Sequence, residues 1–150
     1  MVQQYQKLII HTDGGARNNP GPAGIGITLT PVSPLPKGEG KERSDGVREI
    51  SEYIGETTNN QAEYKAVIRA LEEAKKLGAE ELEFYLDSEL VVKQLKREYK
   101  VRDKDLAPLF IKVYNLSQGF KKVTFKHVIR ERNKEADALV NRAIDSRHEN

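Results

Sequence analysis

Residues 7–15, KLIIHTDGG, decide how the rest of this chain is read. Leu8, Ile9 and Ile10 make a short apolar run and Gly14-Gly15 reads as a turn, so residues 5–13 are predicted to form a strand. Asp13 closes it, a carboxylate where the pattern favours an apolar or neutral residue. Three further acids stand in comparable places. Glu63 opens a helix in TNNQAEYKAV (58–67), Asp87 closes a strand in LEFYLDSELV (82–91), and Asp137 lies early in the last helix in ERNKEADALV (131–140). Four such acids brought together would make an oxygen-ligand site for hard divalent cations. A pair of those cations can drive phosphodiester hydrolysis with no covalent enzyme intermediate.

Working outward, GARNNPGPAG is a turn-rich loop, and GIGITLT gives a second strand around 24–30. Residues 31–46, PVSPLPKGEGKERSDG, hold three Pro, three Gly and many charges, and read as a flexible insertion between strands. VREISEYIGET resumes alternation as a third strand, the expected hairpin partner of the second. In NNQAEYKAVIRALEEAKKLG, Ala66, Val67, Ala70, Leu71 and Ala74 recur at helical spacing and Gly78 is a natural stop. Glu63 shares a stripe with Val67, Ala70 and Ala74, which turns it toward the packed side at the positive end of the helix. ELEFYLD is a fourth strand. Ser88 is placed to cap a helix over 89–98, and a third helix uses Leu106, Leu109, Phe110, Val113 and Tyr114 as its apolar side. KKVTFKHVI is a fifth strand, and Asn133 is expected to cap a last helix that packs through Ala136, Leu139, Val140, Ala143 and Ile144, with Asp137 on the stripe of Val140 and Ile144. The order β-β-β-α-β-α-α-β-α predicts an α/β fold, a mixed sheet covered by helices. Asp13 and Asp87 would then sit at the carboxyl ends of neighbouring strands, where open α/β sheets place their ligands.

The chain has 150 residues, 37% hydrophobic and 32% charged, which fits one domain with one core. It has no Cys, which excludes disulfides, thiolate metal sites and Cys nucleophiles and suits a reducing cytoplasm, the expected compartment. No apolar run approaches the ~20 residues of a membrane span, and MVQQYQKLII lacks a signal-peptide pattern. Net charge is only +2, but the cations cluster: Lys93, Lys96, Arg97, Lys100, Arg102 and Lys104, then Lys121, Lys122, Lys126, Arg130, Arg132 and Lys134. Such runs read either as solvated faces or as a surface for a polyanion.

These motifs resemble those of ribonuclease H, type 1. TDGGARNNPGPAGIG (12–26) resembles the family's TDGS-x-x-x-NPGPGG, TNNQAE (58–63) its TNN-x-x-E, YLDSELV (85–91) its strand-end DS motif, and HVIRERNKEADALV (127–140) its last segment. They occur in the family's order and span residues 8 to about 145. The resemblance implies a five-stranded mixed β-sheet flanked by α-helices and hydrolysis of the RNA strand of an RNA–DNA hybrid. It also implies two Mg²⁺ or Mn²⁺ ions and products with 5′-phosphate and 3′-hydroxyl ends.

On that resemblance Asp13 would bridge the two ions, Glu63 and Asp87 would hold the one that activates water, and Asp137 would complete the shell of the other. The four acids would raise one another's pKa values, so ion binding and activity should weaken at low pH. Asn19, Asn59, Asn60 and Gln61 resemble the family's minor-groove contacts, where a 2′-hydroxyl marks RNA; turn and capping chemistry are their local readings, for Asn59 above all. Gly14 would let backbone approach the substrate, and Ser88 and Asn133 would touch it, though each also suits a helix cap. His127 stands ten residues before Asp137, where the family's loop histidine is found. Here, however, the segment reads HVIRERN, and His127 alternates with Val123 and Phe125 like a strand residue. Arg130 is its rival, a permanent cation for the scissile phosphate. The chain has no Trp and only a short basic connection over 99–105, so it resembles compact members without a basic protrusion. Grip on the substrate would then fall to Lys93, Lys96, Arg97, Lys100 and Lys126. The insertion at 31–46 lies outside the family pattern and is expected to be far from the site. A monomer is expected.

Two other classes compete. Transposases, integrases and junction resolvases share such a sheet and acidic site but act on DNA, and the asparagines suited to a 2′-hydroxyl argue against them. A module that holds hybrids without cutting has no use for carboxylates beside phosphates. No phosphate-binding loop pattern is present to suggest an ATPase.

Overall fold

In the computed structural model, residues 6–32 and 46–148 are described. Five strands, β1 (Lys7–Ala16), β2 (Gly21–Pro31), β3 (Arg48–Thr57), β4 (Glu81–Leu86) and β5 (Lys122–His127), form one sheet in the order β3-β2-β1-β4-β5. The β1–β2 and β2–β3 pairs are antiparallel; β1–β4 and β4–β5 are parallel. Four helices accompany it: α1 (Asn59–Lys76), α2 (Glu89–Leu95), α3 (Ala107–Ser117) and α4 (Lys134–Asp145). The mixed sheet and the hairpin of the second and third strands follow the sequence reading. No helix among the described residues is long and apolar enough to cross a membrane.

Neighbouring residues of a strand point to opposite faces, and β1 shows what lies on each. A Cβ added to Gly14 would fall 2.3 Å from the backbone of Ala62 in α1, whereas one on Gly15 would face Val140 of α4. The sheet is therefore held between α1 and α4. On the α1 side the core is Leu8, Ile10, Ile25, Ile27, Leu29, Tyr64, Val67, Leu71, Phe84 and Leu86, with Val91, Leu106 and Val113 from α2 and α3. Tyr64 is fully buried, and its hydroxyl donates to Gln94 Oε1 at 2.7 Å. Ala136, Leu139, Val140, Ala143 and Ile144 bury the inner face of α4, as their spacing predicts.

Several boundaries differ from the sequence reading. Gly14 and Gly15 are not a turn: β1 continues through them to Ala16, paired with β2 as far as Ala16↔Ala23. Asp13 thus lies inside the strand, opposite Gly26, rather than at its end. β2 begins at Gly21 for the same reason. α2 stops at Leu95 instead of residue 98, and Arg97 takes a left-handed φ of 65° just beyond it. Tyr114 is 44% exposed instead of part of the apolar side of α3, with Arg97 stacked 5.8 Å above its ring. Of the expected insertion, residues 33–45 lie outside the described residues, and Pro31 still pairs with Leu8.

Candidate functional site

β4 ends at Leu86, whereas β1 runs on beside β2 alone, and the acids gather in the step this leaves. Continuing the parallel register two residues past His11↔Tyr85 sets Asp87 level with Asp13. Glu63 arrives from the first turn of α1. Thr58 caps that helix, its Oγ1 accepting from Gln61 N–H at 3.2 Å, and Glu63 Oε1 accepts from Gly14 N–H at 2.5 Å. One carboxylate oxygen from each of Asp13, Glu63 and Asp87 lies within 4.8 Å of the others. Asp137 falls outside that trio. It stands on the α4 side, near enough to Asp13 to raise its pKa, with Arg130 Nη2 at 3.6 Å from its Oδ1.

Burial and repulsion act together on these acids. Burial first, then the Asp87 and Asp137 carboxylates, pushes Asp13 up to about 7, against a lowering hydrogen bond from Glu63. Glu63, more deeply buried still, is raised well above the carboxylate range by burial and by Asp13, which the Gly14 N–H only partly offsets. Its Oε2 is buried without a hydrogen-bond partner. An all-carboxylate donor set carrying an orphaned buried oxygen suits a hard divalent cation.

The acids line an open cleft of about 430 Å³, walled by Gly14, Gly15, Ala16, Arg17, Asn59, Asn60, Ser88, Arg130, Val140, Asn141 and Ile144. Gly14, Asn59, Asn60, Ser88 and Arg130 are therefore where the sequence reading expects them. Ser88 also caps α2, its Oγ accepting from Val91 N–H at 3.3 Å. Asn59 does not cap α1. Its Oδ1 accepts from Ala16 N–H at 2.7 Å, while its own N–H donates to Asn19 Oδ1 at 2.8 Å, so Asn19 braces the wall from behind. Gln61 Oε1 accepts from the Thr57 hydroxyl at 2.7 Å and stands off the cleft.

Two expected site residues are misplaced. Asn133 precedes α4 but makes no capping bond; it is 1% exposed, and its Nδ2 donates to Thr12 O at 2.9 Å, tying the helix start to β1. It does not line the cleft. His127 ends β5 opposite Leu86 and does not line the cleft. Lys93 and, more weakly, His127 hold the Glu89 carboxyl below the usual range. The strand reading of His127 was correct, and Arg130 occupies the place beside the acids. Of the expected gripping cations, Lys93 pairs with Glu89 and lies over the Tyr99 ring, Lys96 pairs with Glu98 and Lys126 with Glu83, and none of the five lines the cleft. Arg17 and Asn141 were not foreseen. Arg17 stands two residues before Asn19 in the same loop, which is a signal; Asn141 has none.

A family model described as "Reverse transcriptase-like" matches residues 11–143. The RNase H1 structure from the halophilic archaeon Halobacterium salinarum is 38% identical, covers 93% of this chain and 98% of that one, and superposes with a TM-score of 0.83. The chain belongs to the ribonuclease H type 1 family. A second ribonuclease H1, LC11, solved in complex with an RNA/DNA hybrid, is 44% identical over 93% of this chain and 97% of its own, with a TM-score of 0.80. A bifunctional protein of Mycobacterium tuberculosis is 39% identical over 140 residues, and the chain spans 36% of its length. The clustered acids of this chain thus sit on the sheet its relatives share.

Proposed function

We propose that the protein is an endoribonuclease that hydrolyses the RNA strand of RNA–DNA hybrids. The observation that carries this is the trio of carboxylate oxygens within 4.8 Å at the end of β4, on a chain 44% identical to a ribonuclease H1 solved on a hybrid. Asp13, Glu63, Asp87 and Asp137 would hold two Mg²⁺ or Mn²⁺ ions. When bound, these supply Lewis-acid polarisation of the scissile phosphate and a more acidic water.

The remaining chemistry belongs to the chain. Gly14 N–H fixes the Glu63 carboxylate, and the Asn59–Ala16 and Asn59–Asn19 bonds lock the β1–β2 turn to α1, so the wall is set before substrate arrives. Asn60 is exposed there, with both an amide donor and a carbonyl acceptor for a 2′-hydroxyl. Arg130 leans on Asp137 and is 77% exposed, free to swing to the phosphate as negative charge builds on it. The water oxygen bonds to phosphorus as the P–O3′ bond breaks, and the departing oxygen takes a proton. The RNA is left with a 3′-hydroxyl and a 5′-phosphate.

The test is an end-labelled hybrid in Mg²⁺ or Mn²⁺, beside matched single-stranded RNA and duplex DNA, with wild type and Asp87→Asn. The expected result is cutting of the hybrid's RNA strand alone, lost with chelator and at least 100-fold weaker in the variant. Cutting of duplex DNA, or hybrid binding without cleavage in either metal, would overturn the reading.

A further inference from the structure

Four of the residues that line the cleft are acids, and two, Arg17 and Arg130, are cations. A polyanion entering it meets those two arginines. Arg130 pairs with Asp137 in the first turn of α4, and Arg17 Nη1 pairs with Asp145 Oδ1 at the helix's last residue, 2.7 Å away. The two counter-ions are eight residues apart in α4, roughly 12 Å at its rise. Arg17 therefore cannot serve the phosphate that Arg130 serves.

Its backbone is fixed. Arg17 N–H donates to Pro22 O at 2.9 Å, and a Cβ on Gly21 would fall 1.7 Å from Arg17 O, so the turn admits no other course. The turn is bolted to α1 through Asn59 on Ala16 and Asn19. Only the guanidinium is loosely held: the Arg17 side chain is 42% exposed and that of Asp145 66%. An ion pair so open to solvent is weak and readily exchanged for a phosphate.

We propose that Arg17 binds a phosphate of the RNA strand away from the scissile one, with Asp145 as its resting counter-ion. The strand follows from position, since Arg17 shares its wall with Asn60, the amide assigned above to a 2′-hydroxyl. The inference rests on the hydrolase reading above.

The experiment measures hybrid cleavage by wild type, Arg17→Ala, Arg17→Lys and Asp145→Asn between 50 and 300 mM salt, with thermal melting of each. Arg17→Ala is expected to raise KM about tenfold, to change kcat much less, and to lower the salt slope of kcat/KM by about one. Arg17→Lys should recover most of the loss. Asp145→Asn should lower KM or leave it unmoved, because it removes a competitor; if it instead copies Arg17→Ala, the pair is a structural clasp and the proposal falls. Hybrids bearing single neutral methylphosphonates should weaken wild type at one RNA-strand position and leave Arg17→Ala no worse. Coupling to a DNA-strand phosphate overturns the strand assignment. Wild type that cuts the hybrid while Arg17→Ala matches it in KM and salt slope overturns this inference alone; wild type that neither cuts nor binds the hybrid overturns both readings.

Discussion

Asp13 and Glu63 are costly residues, and that cost is measurable. Asp13 is pushed from 3.8 up to about 7 by burial and neighbouring carboxylates. Between those values the folded protein binds more protons than the unfolded chain, so without divalent cations its stability should fall as pH rises through that window. At about 1.4 kcal/mol per unit the effect is on the order of 4 kcal/mol for an isolated group, and less where Glu63 shares the proton. In chelator, Asp13→Asn and Glu63→Gln are therefore expected to melt several degrees above wild type at pH 8 and to lose most of the pH dependence. Added Mg²⁺ or Mn²⁺ should raise the wild type alone. Cleavage should decline as pH drops below 7, because protons compete for the same oxygens. A wild type that is most stable at pH 8 without metal sinks this account. All four acids were legible because each interrupts a local pattern that has its own logic. The hydrogen-bond roles of two asparagines were not. Asn59 and Asn133 sit where capping residues sit, yet one accepts from Ala16 and the other donates to Thr12. Those partners lie 43 and 121 residues away, beyond any local rule.

At the scale of elements, the Gly-Gly pair shows what a pattern conceals. It reads as a turn because glycine breaks strands, but here it lets α1 close on the strand. Gly14→Ala would set a methyl 2.3 Å from Ala62 C and O and 2.6 Å from Glu63 N, all backbone atoms that cannot step aside singly. The first turn of α1 must shift, carrying Glu63 with it. The variant should lose about 1–3 kcal/mol of stability and at least tenfold in cleavage, compared with wild type by melting and kinetics. The strand ends were misread for the same reason: a strand stops where its partners stop, and β2 keeps pairing with β1 past Gly15. The β2–β3 connection makes the opposite case. Asp13 pairs with Gly26, and Pro31 is five residues farther along β2, about 17 Å from the acids. Replacing residues 33–45 by Asn-Gly, which leaves Val32-Asn-Gly as a three-residue hairpin loop in the register of Leu29↔Arg48, should leave kcat/KM within twofold. A loss beyond tenfold would tie that segment to the site.

For the molecule as a whole, the alternation of elements gave the α/β class and the covered mixed sheet, but the strand order β3-β2-β1-β4-β5 is not written in any one segment. The family likeness implies five strands in a mixed sheet but not their order, because long-range pairing leaves no periodic mark. One feature of that order bears on behaviour in concentrated solution. β5 is an outermost strand, six residues long, flanked by Lys121 and bearing Lys122 and Lys126. A short, cationic rim discourages a further strand from adding to the sheet. Lys122→Val with Lys126→Val should keep the fold and lengthen the apolar stretch around Val123 and Phe125. Light scattering should then show mass growing with concentration and time, where wild type stays constant. The lysines that read, in the sequence, as handholds for a nucleic acid would on this view also guard an open sheet edge against self-assembly.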